Sequence, residues 1–185
     1  MLNSSAERDD EGSCLFPWKS IWKVKVPARV SFFAWTAALG RILTVDNLRK
    51  RGLIVVDWCS MCKRSGESID HLLLHCDVAR ALWSAFFSLF DVTWVMNGRV
   101  IDLLACWKGQ RGNKMVLEVW RMAPLCLMWT IWRERNFRCF EDKELTTAEI
   151  STRFLTVLYQ WAGVLNIPQV SSMSQFVDFC SYFSL

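Results

Sequence analysis

Both histidines and three of the eight cysteines of this 185-residue chain fall within "CSMCKRSGESIDHLLLHC", residues 59–76. Cys59 and Cys62 form a C-x2-C pair, and His71 and Cys76 complete the pattern C-x2-C-x8-H-x4-C. Two thiolates on one tight turn can share a tetrahedral ion at about 2.3 Å. The second ligand pair must then return from a separate segment, and "KRSGESID" supplies the loop, with Gly66 as the expected turn residue. Four protein ligands close the coordination sphere. A zinc ion held this way contributes folding energy and leaves no position for a substrate. The fourth ligand has two candidates. His71 and His75 are four apart, so on a helix both could face one metal. The H-x4-C spacing, shared with small zinc knuckles, favours Cys76, with His75 at the surface or behind the ligands.

Other chemistries compete for the same residues. A C-x-x-C pair can be a thioredoxin-type redox centre, but that motif opens a helix within a βαβ unit, and no such pattern surrounds Cys59. Structural cysteines can also cluster by chance. If Cys76 were not a ligand, a Cys2His site with a bound water and Glu67 as base would be hydrolytic. Cys14, Cys106, Cys126, Cys139 and Cys180 stand alone, mostly on apolar helix faces, and read as buried small hydrophobes.

The elements that must position the cluster are helices. Trp18 and Trp22 are four apart and fit one short turn carrying two indoles on one side. Pro27 opens "ARVSFFAWTAALG", which is apolar nearly all round and is capped by Gly40. Thr44 is placed to cap "VDNLRKR", which Gly52 ends. "LIVVDW", residues 53–58, reads as a short strand leading into the cluster. Helices are expected over "DVARALWSAFFSLF" and "RVIDLLACW". The stretch "KMVLEVWRMAPLCLMWTIWRERNFRCF" reads as one helix kinked near Pro124 or two end to end. Thr146 and Glu149 form a capping box, flanked by a Leu145–Ile150 staple, for a helix running to about Asn166. "SSMSQFVDFCSYFSL" is a weaker amphipathic segment. The fold class is mainly α: a small helical domain with a zinc-knuckle-like insert, followed by a C-terminal helical region. The expected division is a disordered tail over 1–13, a zinc-binding helical domain over 14–108 and a C-terminal helical extension over 109–185.

Eleven Trp and twelve Phe against two Tyr imply a core stacked from large rings. The longest apolar run, "MAPLCLMWTIW", is about half a membrane span. The N-terminus lacks the apolar stretch of a secretory signal. The expectation is an intracellular protein of the nucleus or cytoplasm, not secreted and not in a membrane, with reduced cysteines. From Phe16 to Arg64 there are ten Lys/Arg against two acids, so the N-terminal half is strongly basic while the chain carries only +4 overall. A polyanion partner fits this distribution, and so does an ordinary solvated face.

The segments "WKSIWKVKVPARVSFFAWTAALGRILTVDNLRKRG", "CSMC" and "ESIDHLLLHCDVARALW" resemble the reverse-transcriptase zinc-binding domain of plant non-LTR retrotransposons. The matching positions are Trp22, Pro27, Phe33, Trp35, Leu48, Gly52, Cys59, Cys62, Glu67, His71, Cys76 and Trp83. The likeness is dense from Phe16 to Trp83 and looser through "MWTIWRERNFRCFED". It implies one structural zinc ion on Cys59, Cys62, His71 and Cys76. It also implies RNA or DNA as partner, and a reverse-transcriptase polymerase domain as neighbour in a polyprotein. The paired aspartates of a polymerase have no counterpart beyond Asp9-Asp10 in the polar tail, and no ribonuclease H carboxylate set follows. The expectation is a fragment or domesticated remnant that is not an enzyme and has no small-molecule substrate. Arg49, Lys50, Arg51, Lys63 and Arg64 would contact phosphates, and Trp58 could stack on a base. A protein-interaction module and a relic without function are the alternatives.

Overall fold

A computed structural model describes residues 16–107, 114–163 and 171–182, and the tail expected over 1–13 lies outside them. The helices are α1 (Trp18–Trp22), α2 (Ala28–Ala38), α3 (Val45–Lys50), α4 (Asp77–Leu89), α5 (Val100–Cys106), α6 (Lys114–Phe140), α7 (Thr147–Gly163) and α8 (Met173–Tyr182). A π-helical turn, His71–His75, precedes α4, and no strand occurs among the described residues. The chain is mainly α, with a cysteine-rich insert between α3 and α4.

Local chemistry sets the boundaries. Gly40 (φ 72°) and Gly52 (φ 83°) take the left-handed conformation that ends α2 and α3. At each end two amides fold back: Gly40 N–H and Arg41 N–H donate to Ala37 and Thr36, and Gly52 N–H and Leu53 N–H donate to Arg49 and Leu48. The capping box of α7 is formed, with Thr146 N–H donating to Glu149 Oε2 at 2.8 Å and Glu149 N–H to Thr146 Oγ1 at 3.3 Å. Donation from the Thr146 amide, and then from its hydroxyl, holds the exposed Glu149 carboxyl below its usual range.

Periodicity sets the packing. Ala79, Leu82, Trp83, Phe86 and Phe87 make one buried stripe on α4, and Ile150, Phe154, Leu158 and Ala162 make another on α7. Both pack on α6, whose middle, Met122–Met128, is buried all round. The stacked rings of Trp107 and Trp120, 4.6 Å apart, lie at the centre with Phe86 against both. One hydrophobic cluster runs from Ile21 to Cys180, through both regions expected from the sequence.

Pro124 does not split α6, which runs continuously from Lys114 to Phe140. Proline has no N–H, so the Trp120 carbonyl one turn earlier loses its helical donor. The indole N–H of Trp107 takes that place at 2.9 Å.

Three expectations change. Residues 53–58 form an exposed segment and not a strand, because no strand among the described residues lies alongside to pair with it. The Thr44 hydroxyl does not cap α3; it is buried without a hydrogen-bond partner, and Glu67 meets the first amides of that helix instead. Cys126 and Cys180 are buried, and burial pushes the Cys180 thiol up to about 12 and raises Cys126. Cys106 and Cys139, however, are exposed, on the faces of α5 and α6 turned from the core. Cys14 lies outside the described residues.

Candidate metal centre

The first ligand pair sits on a tight turn. Lys63 N–H donates to the Cys59 carbonyl at 2.8 Å, closing C-x2-C on itself. The residue that reverses the chain is Lys63, with φ 58°, and not Gly66. A side chain with a Cβ holds this left-handed conformation at a cost of order 1 kcal/mol, so the surroundings must impose it. Gly66 packs against Asp57: a Cβ there would lie 2.8 Å from Asp57 Oδ1, and that exposed side chain would have to move aside.

The second pair sits on the π-helical turn. Ser68 Oγ accepts the His71 amide at 3.1 Å, and Cys76 N–H closes the wide turn on the His71 carbonyl at 2.6 Å. Leu72, Leu73 and Leu74 between the ligands are fully buried. The Trp83 indole donates to the Leu73 carbonyl at 2.9 Å, tying α4 to the turn. Asp70 accepts the Val100 amide at 2.8 Å, and His75 Nε2 lies 3.0 Å from the Gly98 carbonyl. His75 thus addresses the entry to α5.

Cys59, Cys62, His71 and Cys76 converge: their ligand atoms all lie within 4.8 Å of one another. Cys59 and Cys76 sulfurs are 3.9 Å apart, and Cys62 Sγ is 3.4 Å from His71 Nε2. A tetrahedral zinc site with ordinary bond lengths has edges of about 3.6–3.8 Å between its ligand atoms, so the set fits such an ion. The Cys59 thiol is pushed up, first by its hydrogen bond to Cys76 and then by burial, while accepting that bond draws Cys76 down. Burial, reinforced by the neighbouring His75, lowers His71. Thiolate at Cys76 and neutral imidazole at His71 are the ligand forms of those groups.

Glu67 has a role that the sequence reading missed. It is fully buried, and both its oxygens are engaged. Oε1 accepts from Val45 N–H at 3.1 Å and from Arg135 of α6 at 3.0 and 2.7 Å, while Oε2 accepts from Ser60 N–H inside the C-x2-C turn at 3.1 Å. Its backbone carbonyl takes the Asp46 amide. Glu67 is therefore a tie between the turn, α3 and α6. Arg138 adds a second tie, donating to Met61 O at 2.9 Å, Leu145 O at 2.7 Å and Glu134 Oε1 at 2.9 Å. The visible signal was "RERNFR", a charged run on a helix otherwise buried.

The five cations expected to meet phosphates are at the surface, but four have carboxylates beside them. Arg49 pairs with Asp57, Lys50 with Asp46 at 2.7 Å, Lys63 with Glu144 at 3.9 Å and Arg64 with Asp77 at 3.3 Å. Arg51 is exposed at the end of α3, and Trp58 is half exposed beside Cys59.

Residues 4–83 match the family model described as zinc-binding in reverse transcriptase. All four converging ligands lie inside the match, and Arg135 and Arg138 lie beyond it. A relative from Arabidopsis thaliana named "Putative ribonuclease H protein" is 33% identical over 63 residues, 34% of this chain and 10% of the relative. Residues 4–83 are thus similar to the zinc-binding segment of reverse transcriptases, and the matched stretch spans about a tenth of that relative's length. No solved structure matches. Among the described residues, no helix is long and apolar enough to cross a membrane.

Proposed function

We propose that this chain is a non-catalytic module, held together by one structural zinc ion on Cys59, Cys62, His71 and Cys76, that assists a reverse transcriptase in binding RNA or target DNA. The observation that carries the proposal is the convergence of those four ligands from two segments within 4.8 Å. The zinc would supply cohesion and no reaction chemistry, since four protein ligands fill a tetrahedral shell. Residues 14–108 form the zinc-binding part and 109–185 its helical extension, and the two share one core. The neighbours would be nucleic acid and a polymerase domain, in the nucleus or cytoplasm, with no small-molecule substrate. Arg49, Lys50, Arg51, Lys63 and Arg64 remain available to phosphates, because exposed ion pairs are worth at most about 1 kcal/mol and exchange readily.

Metal content of the purified protein, beside a Cys76→Ser variant, tests the zinc reading. One zinc per chain, lost or greatly weakened in the variant, is expected. Folded protein without zinc would refute it, and full retention in the variant would return His75 or water as fourth ligand. A second reading, a protein-interaction module, draws on Leu53–Val56, an apolar stretch exposed along its length with Ile54 wholly in solvent. Pull-down of the polymerase domain by the wild type, lost when Ile54 and Val56 are changed to Ser, would favour it.

A further inference from the structure

The basic residues on the first two helices differ from those beside the metal centre. Between Glu11 and Asp46 the chain has five cations, Lys19, Lys23, Lys25, Arg29 and Arg41, and no acid. All five are exposed, and none joins an ion pair with a described residue. Aromatic rings lie among them. Trp18 is 56% exposed, Trp22 46% and Phe32 56%. Trp18 and Trp22 are one turn apart on α1, about 6 Å along the axis. Trp18 touches Phe16 at 4.7 Å between centroids, and Trp35 touches both Trp22 at 6.5 Å and Phe32 at 5.5 Å. Arg29 lies one turn before Phe32 on the open face of α2. Beside α1, Trp18, Lys19 and Lys23 line a cleft of about 690 Å³ whose far wall carries Trp107 and Arg121, the latter paired with Glu118.

Two physical points decide what this face fits. Burying so many indoles in the core while leaving these open is unfavourable unless something covers them. A purely apolar protein surface would bury five cations that have no ion pair with a described residue, which costs far more than the rings return. Single-stranded nucleic acid answers both demands, since its bases stack on rings and its phosphates neutralise cations. Duplex DNA offers phosphates but keeps its bases stacked within the helix.

We propose that the α1–α2 face, with Trp18, Trp22 and Phe32 as stacking platforms and Lys19, Lys23, Lys25 and Arg29 as phosphate contacts, is a single-strand nucleic-acid binding surface. This rests on the nucleic-acid reading above and relocates its main contacts away from Arg49–Arg64. Four of the five cations beside the metal centre must first give up a carboxylate, whereas no described carboxylate pairs with those on α1–α2.

The test uses the zinc-loaded full chain and fluorescein-labelled oligo(U), oligo(dT) and a duplex of equal length, followed by anisotropy across a salt series. Three variants are compared: Lys19, Lys23, Lys25 and Arg29 all to Gln; Trp22→Ala with Phe32→Ala; and Arg49, Lys50 and Arg51 all to Gln. Zinc content and far-UV circular dichroism confirm folding, and Trp22→Phe with Phe32→Tyr keeps the rings as a control. The first variant should bind the single strands at least tenfold more weakly, as loss of about four contacts would predict, with the log–log salt slope reduced by about 2–3. The ring deletions should cost about tenfold or more, and the ring-retaining control should recover most of it. The third variant should change affinity by less than threefold. Oligo(U) against oligo(dT) then tells RNA from DNA. Loss of binding in the third variant but not the first, preference for duplex, or indifference to ring deletion would overturn the inference while leaving a nucleic-acid module. No binding of any probe by the wild type would refute the nucleic-acid reading itself and leave this face to a protein partner.

Discussion

The two ligand pairs of the metal centre are held in opposite ways. The Cys59–Cys62 turn is held from outside by charge: Glu67 grips its Ser60 amide and Arg138 its Met61 carbonyl, and both ties end on α6. The His71–Cys76 turn is held by apolar contact, with three consecutive leucines in the core and one indole on the Leu73 carbonyl. The first turn is tied through Glu67 and Arg138 to α6, about seventy positions on, and the second leans on α4 and on the α5 entry, where Val100 N–H donates to Asp70. The first half therefore depends on a buried ion pair with α6, and the second on burial in the shared core.

The largest expected effect comes from removing the buried charge on the first side. Glu67→Ala leaves Arg135 buried and unpaired and strands two amides, so stability of the zinc-loaded protein should fall by about 3–5 kcal/mol in urea unfolding. Replacing both partners, Glu67→Leu with Arg135→Met, should recover much of that loss, because apolar substitutes of similar volume avoid an unpaired charge. A double variant as weak as the single one would show that the amide contacts, and not the ion pair, hold the turn.

Arg138→Lys should cost about 1.5–3 kcal/mol, since one ammonium cannot span Glu134, the Met61 carbonyl and the Leu145 carbonyl together. Zinc affinity, measured by chelator competition, should fall about tenfold or more, as for other groups that orient ligands from behind. On the second side Trp83→Phe removes one hydrogen bond and should cost about 1 kcal/mol. It should leave zinc affinity closer to wild type than Arg138→Lys does. The reverse order of affinities would invert the comparison and make the π-helical turn the more delicate half.

How far these features were readable follows from their range. Gly40, Gly52 and the Thr146–Glu149 box announce helix ends because capping is local chemistry. The cysteine and histidine spacing singled out the four residues that converge, because those ligands come from one short stretch. Glu67 stood among the positions of family likeness, yet its partner lies 68 residues away, and nothing in a charged loop residue says which cation it will meet. Thr44 misled for the same reason: the backbone carbonyl of Glu67 took the Asp46 amide that its hydroxyl could have capped, and the Glu67 carboxylate took the Val45 amide. "LIVVDW" has strand composition, but a strand needs a neighbour, and composition does not supply one. The pairing of Arg49, Lys50, Lys63 and Arg64 was equally invisible, since net charge counts cations without saying where their carboxylates stand.

The proline in α6 bears on the order in which the molecule comes together. Pro124 leaves the Trp120 carbonyl, in the N-terminal part of α6, without its helical donor, and the indole that serves it comes from Trp107 just beyond α5. Trp107 precedes α6 in the chain and so emerges first from a ribosome. The turn of α6 from Trp120 to Pro124 reaches its full stability only once the α5 end is in place, so the longest helix cannot mature as an independent unit. Amide exchange around Trp120 should therefore report docking of α5 and not the intrinsic strength of α6.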